Sequence, residues 1–159
     1  MPIQPPKGNF PSDIISFMAN LRRALIREFS IAADEVVNAI KMDVARGGYR
    51  KYKDQTGNLT SSVGFALVED GAIIYESEFV PLAPTAQQGA DAGREYVQQL
   101  AAQYPSGITV IVVAGMNYAA YVEAKGLGGM RTGEMAMRQR AHDILTELAN
   151  KLKTQKALK

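Results

Sequence analysis

Cysteine is absent from this chain, histidine occurs once and no long apolar run is present, and each shortage closes a route to function. Without cysteine there can be no disulfide framework, thiolate nucleophile or cysteine metal site, so burial alone must hold the fold. The single histidine, His142, has no sequence neighbours that would complete a triad or a zinc site, and it reads as a partly exposed helix residue. No window approaches the ~18 consecutive apolar residues that a membrane-spanning helix needs. The first eleven residues have no apolar core run, so they are not expected to act as a secretory signal, and the protein is expected to stay where it is made. Charge of one sign is also in short supply. Lys and Arg total 18 against 16 Asp and Glu, and a formal charge of +2 is too small for whole-surface attraction to nucleic acid or an anionic membrane. Any basic patch must be local.

What is present suffices for one cored domain: 159 residues, 47% of them hydrophobic, a length too short to expect two. The sequence divides into an extended arm at 1–11, a single domain at 12–152 and a basic tail at 153–159. Pro2, Pro5, Pro6 and Pro11 keep the arm out of helix and central strand by removing donors and fixing backbone angles. Ser12 then offers a helix cap, Asp13 complements the helix dipole, and apolar residues recur at Ile14, Met18, Leu21, Leu25, Phe29, Ala32, Val36, Ile40 and Val44. The spacing predicts an amphipathic helix from 12 to about 45 or 46, ended by Gly47-Gly48 and roughly 50 Å long at ~1.5 Å per residue. So long a helix either bends near Ser30 or lends part of its stripe to another subunit.

Further on, Val63, Phe65 and Leu67 alternate with smaller residues, and Asp70-Gly71 signals a two-residue hairpin into Ala72–Phe79. That turn would set Leu67 opposite Ile74, with Phe65 and Val63 opposite Glu76 and Glu78. Pro81 and Pro84 break the strand, and Thr85 to Gln88 has capping-box spacing ahead of a second helix that ends before Pro105. The β-branched run Ile108–Ala114 is nearly all apolar and predicts a central strand. Tyr118 to Glu123 reads as a short strand or a helix start. Four glycines in residues 124–133 favour a mobile loop, and a last helix carries Met137, Ala141, Ile144, Leu145, Leu148 and Leu152. The predicted fold is α+β: a long N-terminal helix and a C-terminal helix packed on a small, mainly antiparallel sheet, with a helix inserted between strands.

Candidate chemistry is sparse. Gly128 to Gly133 has the glycine spacing of a phosphate-binding loop, but Glu134 stands where that loop needs lysine, and Gly126-Leu127-Gly128 lacks the third glycine of a dinucleotide fingerprint. Glu76 and Glu78, two apart on one strand, could serve a hydrolase or a hard cation, yet no third acidic ligand follows at a defined spacing. The Asn58-Leu59-Thr60 triplet would be a glycosylation acceptor only on a secretory route. Arg46, Arg50, Lys51 and Lys53, interleaved with Tyr49 and Tyr52, form the best basic-aromatic patch, which leaves a small nucleic-acid-binding module as the alternative function. The methionines at 130, 135 and 137 suit a core or a pliable interface.

Two segments carry more information. In Asp54-Gln-Thr-Gly-Asn-Leu-Thr-Ser61, Thr56 and Asn58 can bond nearby backbone while Gly57 takes a positive φ and Leu59 plugs the core, which makes a structural corner of Thr56, Gly57, Asn58 and Leu59. Later, Val112-Val-Ala-Gly115 leads into Tyr118-Ala-Ala-Tyr-Val-Glu123 and then Gly126, where Tyr118 and Tyr121 have the apolar body and polar tip favoured at interfaces. The first segment resembles the D-x-T-G-N-L-x-x-S pattern, and the second the Y-A-x-Y-V-E pattern, of the tail-completion or head-to-tail joining proteins of long-tailed bacteriophages. The order of elements agrees across residues 12 to 152.

The resemblance implies a non-enzymatic phage or prophage morphogenesis protein with no catalytic, metal or cofactor residues. Its partners would be further copies in a ring and neighbouring neck or tail proteins, without membrane or nucleic acid. It would occur in the bacterial cytoplasm during assembly and then in the virion neck or tail. Tyr118, Tyr121, Glu123, Lys125, Gly126, Gly128, Gly129, Met130 and Arg131 would form the subunit interface, with Glu123 able to pair an arginine of a neighbour. Three features depart from the family: the inserted helix at about 86–103, Ala124-Lys125 in place of the usual phenylalanine or threonine, and no proline near the start of the last helix.

Overall fold

The computed structural model describes residues 12–45, 53–126 and 129–157; the expected arm at 1–11, the patch residues Arg46, Arg50 and Lys51, and the loop residue Gly128 lie outside them. The long apolar stripe folds as α1, Ser12–Ala45. Only its second half serves the core, through Phe29, Ala32, Ala33, Val36, Val37, Ile40 and Val44, while every residue from Ser12 to Asn20 is exposed. A short helix α2, Asn58–Ser61, leads into β1, Val63–Glu69, and the hairpin returns as β2, Ala72–Glu76. A single 3-10 turn at Pro84–Ala86 opens α3, Gln87–Ala101; β3 (Ile108–Ala114), α4 (Ala119–Ala124) and α5 (Met130–Ala157) complete the chain. The fold is the expected α+β arrangement, and α5 runs on through 153–157, the start of the expected basic tail.

The sheet is antiparallel throughout, in the order β2-β1-β3. Side chains of successive strand residues point to opposite faces, and here both faces are covered. Val63, Phe65 and Leu67 pack with the buried half of α1 and with Met137 and Ile144 of α5, whereas Ala66 and Val68 pack with Phe79 and with Ala90, Val97 and Ala101 of α3. The result is three layers, and it explains why six successive residues of β1 are buried. Each such side chain contributes about 1.5–3 kcal/mol when fully removed from water. It also corrects the placing of β3. The apolar run there reflects cover on two faces, by α3 and by α5, while the strand itself lies at the sheet edge and β1 is central.

The hairpin turn forms at Asp70 and Gly71, with φ of 50° and 83°, the pair of left-handed residues such a turn demands. The expected register holds only next to the turn. Glu69 faces Ala72 and Val68 faces Ile73, but a bulge between Leu67 and Val68 then sets Leu67 opposite Tyr75 and Ala66 opposite Glu76. One extra residue thus changes which β2 side chains share the face of Phe65, and Tyr75 stacks on that ring with centroids 5.6 Å apart. Glu78 falls beyond the strand end, so it and Glu76 do not form the same-strand pair expected.

α1 and α5 run antiparallel. Gly133 packs against Ile40, and about two turns further along α5, Arg140 reaches back to Glu35 at 2.8 Å. At its other end α1 is tied to the hairpin by Arg22, whose Nε donates to Glu69 Oε1 at 2.6 Å and whose second nitrogen meets Oε2. The arginine's hydrogen bond holds the Glu69 carboxyl below its ordinary range. A depressed carboxyl pKa adds stability above the unfolded value, about 4.3, that is lost as pH falls through the lower folded value. Because the pair is solvent-exposed, that contribution is small.

Candidate assembly surface

The corner between α1 and β1 is a polar latch. Asp54 Oδ2 accepts from the Thr60 backbone N–H at 2.8 Å and from the Thr60 hydroxyl at 2.7 Å, while Oδ1 takes the Leu59 N–H at 3.4 Å. The carboxylate thereby satisfies the first free donors of α2, which its left-handed cap residue Gly57, φ 75°, has no side chain to reach. Thr56 Oγ1 accepts from the Asn58 N–H as expected, and Leu59 enters the core at 2% exposure. Asn58 behaves differently from expectation: its Oδ1 accepts the Gly89 N–H at 2.9 Å, from a residue 31 positions away. The amide therefore serves the first turn of α3.

Several neighbours reinforce this seam. Thr85 Oγ1 donates to the Thr56 carbonyl at 3.1 Å, and the Leu82 N–H donates to Ser61 Oγ at 3.1 Å. Thr85 is thus not the capping-box residue the spacing predicted, and α3 has no side-chain cap from Ala86, the residue that precedes it. Among the described residues no buried side-chain nitrogen or oxygen lacks a partner. Replacing Asp54 with alanine is expected to cost about 1–2 kcal/mol, as for other lost helix caps. Urea unfolding of Asp54→Ala, Thr60→Ala and the double variant checks this; strictly additive losses would show that the two side chains do not act together.

In the second motif Tyr118 precedes α4 and packs partly buried against the α1 core. Tyr121 is 66% exposed, with Lys125 Nζ 5.4 Å from its ring centroid. Glu123 sits on α4, yet its two oxygens accept the Met130 N–H at 3.1 Å and the Arg131 N–H at 2.9 Å. It caps α5 across the glycine-rich connection. Gly126 is exposed with φ of 68°, and Gly129 lies against Ile40 and Asp43 of α1. The expected 124–133 loop is accordingly shorter than predicted, because α5 already begins at Met130.

The remaining candidates scatter. Met130 is partly buried, Met137 is core and Met135 is exposed. Arg131 is exposed and forms no ion pair among the described residues. His142 lies on the exposed side of α5, 3.6 Å from Asp143. Of the basic patch only Lys53 is described, and it is exposed. No cluster of three or more His, Asp or Glu that could hold a metal occurs among the described residues, and no helix there is long and apolar enough to cross a membrane.

Sequence reasoning overlooked the role of Asp54 and Ser61 in the latch, although both lie within the motif it singled out. The feature it anticipated without locating is the free half of α1. Ile14, Phe17 and Met18 share one face, with Leu21 continuing it, and Ile14, Ile15, Phe17 and Met18 are 36–56% exposed. A small three-layer α+β protein with a projecting apolar helix end is the class these features define. No protein family, characterised protein or solved structure that was compared matches the chain.

Proposed function

We propose that this protein is a structural component of phage morphogenesis, a head-tail connector or tail-completion protein that acts by ring assembly and protein-protein contact. The observation that carries the reading is the α1 stripe. A 34-residue helix commits little more than half its length to its own core and leaves the rest apolar and uncovered. Contiguous exposed apolar surface rimmed by polar residues marks an interaction site, and here the next protein of the neck or tail covers it. The resemblance of the Asp54–Ser61 and Tyr118–Glu123 segments to joining proteins supports the same role.

The test is assembly itself. Sedimentation velocity and electron microscopy at rising protein concentration are expected to show rings or ring precursors, and the purified chain is expected to capture a protein encoded beside it. A particle that stays monomeric at the highest attainable concentration and captures no neck or tail protein removes the reading.

A further inference from the structure

A groove of about 760 Å³ runs along the outer edge of β3. Its floor is five successive strand residues, Ile108 to Val112, and its walls come from α5, chiefly Met130 and Met137, and from Leu100 and Tyr104 at the end of α3. Residues from both faces of one strand line it, so it lies beside the strand rather than above the sheet. That is the shape a fourth strand would fill.

The backbone along this edge is poised for pairing. In an antiparallel ladder, residues alternate between those bonded to the partner strand and those whose N–H and C=O point away. The bonds that flank β3, Gly115 N–H to the Ser62 carbonyl and Asp70 N–H to the Gly107 carbonyl, fix the phase. Gly107, Thr109, Ile111, Val113 and Gly115 face β1, so Ile108, Val110, Val112 and Ala114 direct their polar groups into the groove. Among the described residues, no group outside the sheet is bonded to them. Unprotected edges of this kind are templates for another strand.

The sheet's opposite edge supplies a matching strand. β2 also has five residues, at most about 17 Å at ~3.3 Å each and with Ile74 as its bulge residue, close to the length of the groove's floor. Its outer side is open, with Ile74 and Tyr75 at 37% and 49% exposure, and the flanking chain carries acid. Glu76 and Glu78 form no ion pair among the described residues, and neither does Arg131 on the groove's wall. Within the groove's wall Glu134 is paired with Arg138 and Glu123 accepts the first N–H groups of α5, so Arg131 is the charge left for Glu76 and Glu78 at the end of β2.

We infer that the slot beside β3 takes the β2 edge of a second copy, which continues the sheet from subunit to subunit. The contact is heterologous, and repetition of such a contact closes a ring or grows a filament. This inference rests on the assembly role proposed above and names the surface that carries it.

Two complementary variants test it. Val110→Pro with Arg131→Glu blocks the slot, and proline there removes an outward-facing N–H and no bond to β1, at the cost of a partly buried valine side chain. Ile74→Lys with Glu76→Lys spoils the inserting edge. Each alone is expected to shift self-association to at least about a hundredfold higher concentration in sedimentation velocity, with the circular dichroism of the wild type. Mixed, they are expected to form a 1:1 dimer that grows no further, since one intact slot meets one intact edge. Should Val110→Pro prevent folding, Arg131→Glu alone replaces it in both arms. Variants that assemble like the wild type, or a mixture that yields no dimer, overturn the inference while leaving the joining role intact. A wild type that never assembles and captures no partner overturns both.

Discussion

A chain carrying Gly89→Ala is expected to lose about 2–4 kcal/mol of stability, a large share of the 5–15 kcal/mol typical of a folded domain. A Cβ at this position would lie 2.6 Å from the carbonyl carbon and the Cα of Asn58, and closer still to its oxygen. Those are backbone atoms in a buried helix, so no side-chain rotation relieves the clash. Separating α2 from α3 would also release the Asn58–Gly89 hydrogen bond, which contributes about 0.5–1.5 kcal/mol, and overpacking costs about 1–3 kcal/mol or more. The sign makes the test decisive. Inside an ordinary helix, glycine to alanine stabilises by about 0.5–1 kcal/mol, so an unchanged or raised urea midpoint would mean that the two helices do not meet so closely. Gly126→Ala is the control: its φ of 68° gives strain of about 1–2 kcal/mol, but nothing lies within 4 Å of the added methyl.

The parts of this fold that could be read from sequence are those set by local periodicity. α1, α3 and α5 each repeat apolar residues at helical spacing over at least fifteen residues, and Asp70-Gly71 has few alternatives to a tight turn. What failed depends on partners distant in the chain. An apolar β3 looks central because periodicity reports cover on its faces, not whether a neighbour sits on each edge. The bulge after Leu67 leaves no mark on composition, and Thr85 has its capping spacing but spends its hydroxyl on the Thr56 carbonyl. Glycine content suggested a loop through Gly133, yet Gly133 is needed where α5 crosses Ile40, and the helix starts before it.

The same distinction reorders the candidate site. Asp54, Asn58 and Glu123, the most recognisable polar residues of the two motifs, are spent on the N-terminal turns of α2, α3 and α5 respectively. A helix start leaves free N–H donors and carries partial positive charge, so a carboxylate or amide oxygen there stabilises the fold directly. These residues hold the three helices around the sheet and thereby position the surfaces that remain. Those surfaces are the β3 slot and the exposed end of α1, neither of which contains a landmark residue of the first motif.

The exposed end of α1 makes the second large effect an effect on binding alone. Ile14→Glu with Phe17→Glu is expected to leave the urea midpoint within about 0.5 kcal/mol of wild type, because both side chains are more than two-fifths exposed and touch no core cluster. Glutamate is a better helix former than either residue and suits the positive end of the dipole. On a docked partner the balance reverses. Losing two apolar side chains from a buried contact removes about 3 kcal/mol or more at 1.5–3 kcal/mol each, roughly a hundredfold in Kd at 1.4 kcal/mol per tenfold. Capture of the partner proposed for this stripe, measured by titration calorimetry, should weaken by that factor, whereas self-association through the sheet edges should not move. Equal capture by the variant would mean that the stripe lies outside the contact. A loss of self-association as well would place α1 between the copies.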